Sequence, residues 1–172
     1  MNSATSVKSA FERNAKALSL RPTLGIGTAK TTVRVRDGLT CEIEDGPWKL
    51  TADMGAKQGG ANEGPNPGVL GRGALGSCLA MSYTMWAAHL GFPLAGLEIE
   101  VQADFDAGAH YGVSDSTPAY SEVRYIVTVE TDAPQEDVIQ FLDHVDALTP
   151  YLRVFADPQQ LRREVRVMAS RS

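Results

Sequence analysis

The loop Gly64-Pro65-Asn66-Pro67 delivers the chain into an apolar helical stretch, Pro67 to Leu90, whose middle reads Gly73-Ala74-Leu75-Gly76-Ser77-Cys78-Leu79-Ala80. Gly91 is a natural C′ residue for this helix, and Pro93 prevents its continuation. Helix interiors disfavour glycine by about 1 kcal/mol relative to alanine, yet Gly71, Gly73 and Gly76 all lie just before the cysteine. That pattern predicts close packing against the helix. No charge interrupts Gly73 to Trp86, but a membrane span needs about 20 apolar residues, and Ser77, Ser82, Thr84 and His89 break the surface. A buried core helix is expected.

Working outward, Ser3 to Leu18 reads as an amphipathic appendage with Val7, Phe11, Ala15 and Leu18 on one stripe, and Arg21 to Lys30 as a turn or linker. Three strands follow. Thr31–Asp37 places Val33 and Val35 on one face, Leu39–Glu44 turns Leu39, Cys41 and Ile43 inward, and Trp48–Ala52 follows the hairpin signal Asp45-Gly46. Asp53 to Asn66 is a Gly/Asn/Pro-rich loop. Leu97–Phe105 alternates Leu97, Ile99, Val101, Ala103 and Phe105 against acidic or polar residues, a half-buried strand. Asp106–Tyr120 is a long loop and Glu122–Thr131 a second long strand. A helix from Ala133-Pro134 to about Leu148 carries the stripe Val138, Phe141, Leu142 and Val145, ends at Thr149-Pro150, and precedes a short helical or irregular stretch that reaches Pro158. Leu161–Met168 closes as a strand. The order predicts an α+β fold, with residues 1–30 as N-terminal helix and linker and residues 31–172 as the domain proper.

The 172 residues are 43% hydrophobic, enough for one core. A formal charge of −5 without a Lys/Arg cluster excludes a nucleic-acid partner, because phosphate binding needs concentrated positive charge. Two cysteines make no disulfide framework. Met1–Leu20 has Lys8, Glu12, Arg13 and Lys16 but no apolar export region. A cytoplasmic protein is expected. His110 and His144 lack metal-site spacing, and Gly59-Gly60 lacks the βαβ context of a phosphate loop, so no metal or cofactor is expected.

The run around Cys78, with the loop at Gly64, resembles the OsmC/Ohr family of small thiol proteins that reduce hydroperoxides. The resemblance implies an OsmC-like fold over about Thr31–Met168, antiparallel sheets packed around a long cysteine-bearing helix, and an intertwined homodimer with two sites across its interface. It implies that Cys78 is the attacking sulfur and that an arginine of the N-terminal strands, Arg36 or, shifted in register, Arg34, lies against it. Two positions depart from the family pattern. The glutamate of the family's Asn-Pro-Glu signature is replaced by Gly68, leaving Glu63 either as a substitute or as an ordinary loop carboxylate. The family's second, resolving cysteine is replaced by Thr149, so oxidised Cys78 would need Cys41 or an external thiol, or would go unresolved.

By residue chemistry alone, Cys78 in mid-helix gains little from the macrodipole, and free cysteines are often plain core residues. Cys41, between Leu39 and Ile43, reads as an inert packing thiol. Met81, Met85 and Trp86 are expected to line a pocket or dimer core, while His89 lies too far along the helix to act as a base for Cys78. With the resemblance added, two functions are expected: reduction of organic or hydrogen peroxide through Cys78, which the resemblance implies, or non-catalytic binding of a small hydrophobic or electrophilic ligand. Neither needs a membrane.

Overall fold

The computed structural model describes residues 4–169. Its elements run α1 (Ala4–Leu20), β1 (Thr32–Asp37), β2 (Thr40–Asp45), β3 (Trp48–Ala52), α2 (Pro67–Leu90), β4 (Gly96–Asp104), the short α3 (Ala107–His110), β5 (Glu122–Glu130), α4 (Gln135–Asp146) and α5 (Pro150–Ala156). The fold is α+β: one antiparallel sheet is β1-β2-β3 and the other is β4-β5.

The central helix α2 has the boundaries its sequence predicts. Asn66 Oδ1 accepts the Val69 N–H at 3.0 Å, a side-chain cap on an otherwise orphan donor. Gly91 closes the other end at φ 73°, donating its N–H to the Ala87 carbonyl. One stripe of α2, Leu75, Leu79, Tyr83 and Ala87, is buried and meets Phe141 and Val145 of α4. The β4–β5 ladder pairs Ile99 with Val127 and Val101 with Tyr125, which aligns two apolar rows under the helix. Each such side chain contributes about 1.5–3 kcal/mol when fully buried. Tyr83 is fully buried and donates to Asp146 at the end of α4, whose second oxygen accepts the Tyr125 hydroxyl at 2.6 Å. One carboxylate thus ties α2, β5 and α4 together. Burial, then the hydrogen bond to Asp146, pushes the Tyr125 hydroxyl up to about 12.

The N-terminal helix is docked rather than free. Phe11 stacks on His89 with ring centroids 4.4 Å apart and meets Trp86 edge-on at 4.9 Å. Among the described residues no helix is long and apolar enough to cross a membrane.

Four expectations are corrected. Phe105 is 66% exposed, because β4 ends at Asp104. Leu161–Met168 forms no strand: among the described residues no segment pairs with it, and Leu161 and Val167 are more than nine-tenths exposed. The alternating meander is real, but Val33, Val35 and Leu50, which share a face with Ile43 and Cys41, are all more than half exposed, because none of the described residues covers them. Of the three helix glycines Gly71, Gly73 and Gly76, Gly76 alone sits at a close approach. A Cβ there would lie 3.3 Å from Val101 Cγ2, so it fits α2 to a strand, while Gly71 and Gly73 face open space within the chain.

The excursion between β4 and β5 is held at its base, where Ser121 N–H donates to the Asp104 carbonyl at 2.9 Å. Asp106 gathers its first turn, accepting from Gly108 N–H at 2.8 Å and from the Ser114 hydroxyl at 2.6 Å.

Candidate functional site

Cys78 is half-buried and free, on the side of α2 away from the Leu75–Leu79–Tyr83 stripe. It lines a groove of about 520 Å³ with Met81, Met85 and Trp86, which follow it at helical spacing, and with Leu148, Pro150 and Tyr151 at the α4–α5 junction. The thiol therefore stands in a mostly apolar wall, open to solvent. Met81 and Met85, at 64% and 43% exposure, give that wall two adaptable side chains.

The replaced cysteine position falls beside this groove. Thr149 lies between groove residues Leu148 and Pro150 but is itself fully buried, its hydroxyl donating to the Val145 carbonyl at 2.9 Å. It serves the junction between α4 and α5. Cys41 is also free, half-buried on the uncovered meander face, with its thiol directed to the Leu39 carbonyl at 3.7 Å.

The two candidate arginines separate cleanly. Arg34 reaches across the sheet to Glu44 at 2.5 Å, and Lys49 joins the same carboxylate at 2.9 Å. Lys49 first, then Arg34, holds the Glu44 carboxyl below the usual range. Arg36 sits where the β1–β2 register shifts, and its side chain ion-pairs with Glu63 of the loop. Both partners are about half exposed, and neither is among the residues lining the Cys78 groove. Within one chain, then, the structure brings Cys78, Met81, Met85 and Trp86 together, and separately brings Arg36 and Glu63 together.

Glu63 is presented by a residue the sequence analysis passed over. Asp53 is 2% exposed and accepts four hydrogen bonds, from the Thr40 hydroxyl and from the N–H groups of Met54, Ala61 and Glu63. The loop also lies tight against β3: a Cβ on Gly64 would come 2.3 Å from the Thr51 carbonyl oxygen, and one on Gly60 would come 1.9 Å from that of Met54. Only glycine fits either place. The N–H of Glu63, ahead of those of Met54 and Ala61 and the Thr40 hydroxyl, holds the Asp53 carboxyl below its usual value of 3.8 against the opposing effect of burial. A depressed folded value means that its contribution is complete at neutral pH and is lost as acid carries the group through that value. Asp53→Asn is therefore expected to lower the protection of the Ala61 and Glu63 amides, relative to their unfolded exchange rates, at pH 7, and acid below pH about 3.8 should do the same to the wild type. Unchanged protection in both would show that the loop is held by other contacts.

A second overlooked group stands at the departure from the family pattern. A side chain at Gly68 would meet Arg72 Nη1 and the Tyr120 hydroxyl, each at 3.3 Å, and Arg72 donates to that hydroxyl at 3.4 Å. Its only signal in the sequence is a charge within an apolar helix. Among the described residues, no group of three or more His, Cys, Asp and Glu side chains is placed to hold a metal.

A family model described as OsmC-like protein matches residues 59–162. No curated protein sequence matches the chain. Among solved structures, the OsmC-like protein of Mycoplasma pneumoniae superposes with a TM-score of 0.66 at 13% identity, over 76% of this chain and 88% of that one. An organic hydroperoxide resistance protein from Legionella pneumophila gives 0.54 at 14%, over 76% and 90%. A Vibrio cholerae protein with captopril bound in one of its active sites gives 0.53 at 13%, over 75% and 85%. At these identities the likeness establishes the fold.

Proposed function

Since the chain belongs to the OsmC-like protein family, whose model spans residues 59–162, we propose that it is a thiol peroxidase of the oxidative-stress response acting on organic or hydrogen peroxides through Cys78. The observation that carries this reading is a single half-buried thiol in the wall of an apolar groove large enough for a small organic molecule. The thiolate attacks the outer peroxide oxygen, the O–O bond breaks, and the departing alkoxide takes a proton to leave as an alcohol. Cys78 is left as a sulfenic acid. With threonine at position 149, an external thiol attacks that sulfur and releases water, and a second thiol frees the cysteine by exchange.

The thiol of an unperturbed cysteine, with pKa ≈ 8.5, is mostly protonated at neutral pH. Arg36, oriented by Glu63, is the cation that would favour the thiolate. It reaches Cys78 from a second copy of the chain, in a homodimer whose interface covers Val33, Val35 and Leu50. Light scattering at micromolar concentration is expected to return twice the 18.5 kDa chain mass; the mass of a single chain would remove the dimer and the Arg36 role together.

The direct test is cumene hydroperoxide followed by dimedone, which traps sulfenic acid. Trapping is needed because Met81 and Met85 share the groove and also gain oxygen as sulfoxides. A dimedone adduct mapped to Cys78 is expected. A second reading, a non-catalytic protein binding a small hydrophobic or electrophilic ligand, is favoured by Thr149 and by the absence of Arg36 from the groove lining within one chain. Peroxide that leaves Cys78 unmodified, while an apolar fluorophore binds the groove, would select it.

A further inference from the structure

Trp86 belongs to two structures at once: it lines the Cys78 groove, and it is held among Phe11 of α1 at 4.9 Å, His89 of its own helix at 5.6 Å and His144 of α4 at 5.1 Å, each ring edge-on to it. Phe11 comes from a helix that lies wholly outside the family match at residues 59–162. Phe11 also stacks on His89, and Glu12 stands 3.9 Å from His89 Nδ1. The N-terminal helix is thus anchored where the groove ends. A tryptophan with a neighbour on only part of its surface explores several rotamers, whereas one clamped from three sides presents a fixed apolar wall.

We propose that α1 is a positioning element for ligand recognition, with Phe11 holding Trp86 so that the groove selects bulky apolar molecules over small ones at Cys78. This rests on the Cys78 groove as the ligand site but not on peroxide turnover. Phe11 touches no ligand; it acts through Trp86. Removing it should leave the thiol as accessible to a small reagent as before, and lower the advantage of a large apolar one.

The test uses the full chain carrying Cys41→Ser and Trp48→Phe, which leaves Cys78 as the sole thiol and Trp86 as the sole tryptophan. Alkylation by N-methylmaleimide and N-phenylmaleimide, which share a reactive group and differ in bulk, is compared with and without Phe11→Ala. The phenyl-to-methyl rate ratio is expected to fall about three- to tenfold, within the range an edge-to-face aromatic pair supplies, and Trp86 emission to shift to the red. An unchanged ratio, or an equal fall in both rates, overturns the proposal. If Phe11→Ala loses helical signal, Phe11→Leu, which keeps apolar volume without the ring, carries the same comparison. Because the readout is alkylation, a protein that reduces no peroxide still gives a decisive answer.

Discussion

Cys78→Ser is expected to abolish peroxide consumption, with a fall of roughly three orders of magnitude or more to the uncatalysed background, as follows when a covalent nucleophile is removed. A serine hydroxyl at its ordinary pKa is not ionised near neutrality, and nothing in the groove lining is a base that could activate it: the residues beside Cys78 are Ala74, Ser77, Met81, Ser82, Met85 and Trp86. Cys41→Ser should keep the rate within about twofold, since its thiol lies on the meander face and not in the groove. The comparison separates the two sulfurs without assuming which is oxidised. Retention of most of the activity in Cys78→Ser would move the chemistry elsewhere in the molecule.

The largest structural effect is expected from Asp146→Ala. It removes the acceptor of two tyrosine hydroxyls at once, one of them on the fully buried Tyr83. An orphaned buried hydroxyl costs about 1–3 kcal/mol, so the loss should approach about 3 kcal/mol or somewhat more, equivalent to roughly 6–12 °C in melting temperature for a domain of this size. Asp146→Asn keeps an acceptor oxygen and should fall between the two. Tyr83→Phe combined with Tyr125→Phe removes both donors, and adding Asp146→Ala to that pair should then cost far less than it does alone. Urea midpoints for the set decide it; additive losses would show that the three groups do not act as one network.

What was legible in the sequence was local. Asn66-Pro67 and Gly91-x-Pro93 mark the ends of α2 because capping and proline geometry act within a few residues, and the alternation from Leu97 to Ala103 marks β4 because one face must be buried. The site was legible only in part. Cys78, Met81, Met85 and Trp86 share a helix face by spacing alone, but the Arg36–Glu63 pair joins residues 27 positions apart. That pairing joins a residue at a register shift in β1 to the loop held by Asp53, and neither feature has a periodic signature. Leu161–Met168 failed as a strand for a different reason: alternation reports a face that could be covered, not the presence of a partner edge to cover it. The same limit applies to Val33 and Val35.

The excursion between β4 and β5 offers something practical. Its two ends are already clasped where Ser121 meets Asp104, and Asp115, Ser116 and Thr117 at its far side are exposed. Lengthening a loop whose ends stay fixed costs only logarithmically in chain entropy, about 0.6 kcal/mol per doubling. None of these residues contributes to the thiol groove or to the core under α2. A reporter domain spliced between Ser116 and Thr117 would ride on the hairpin as cargo, making this tip a natural port for tagging the protein while both of its termini stay unmodified.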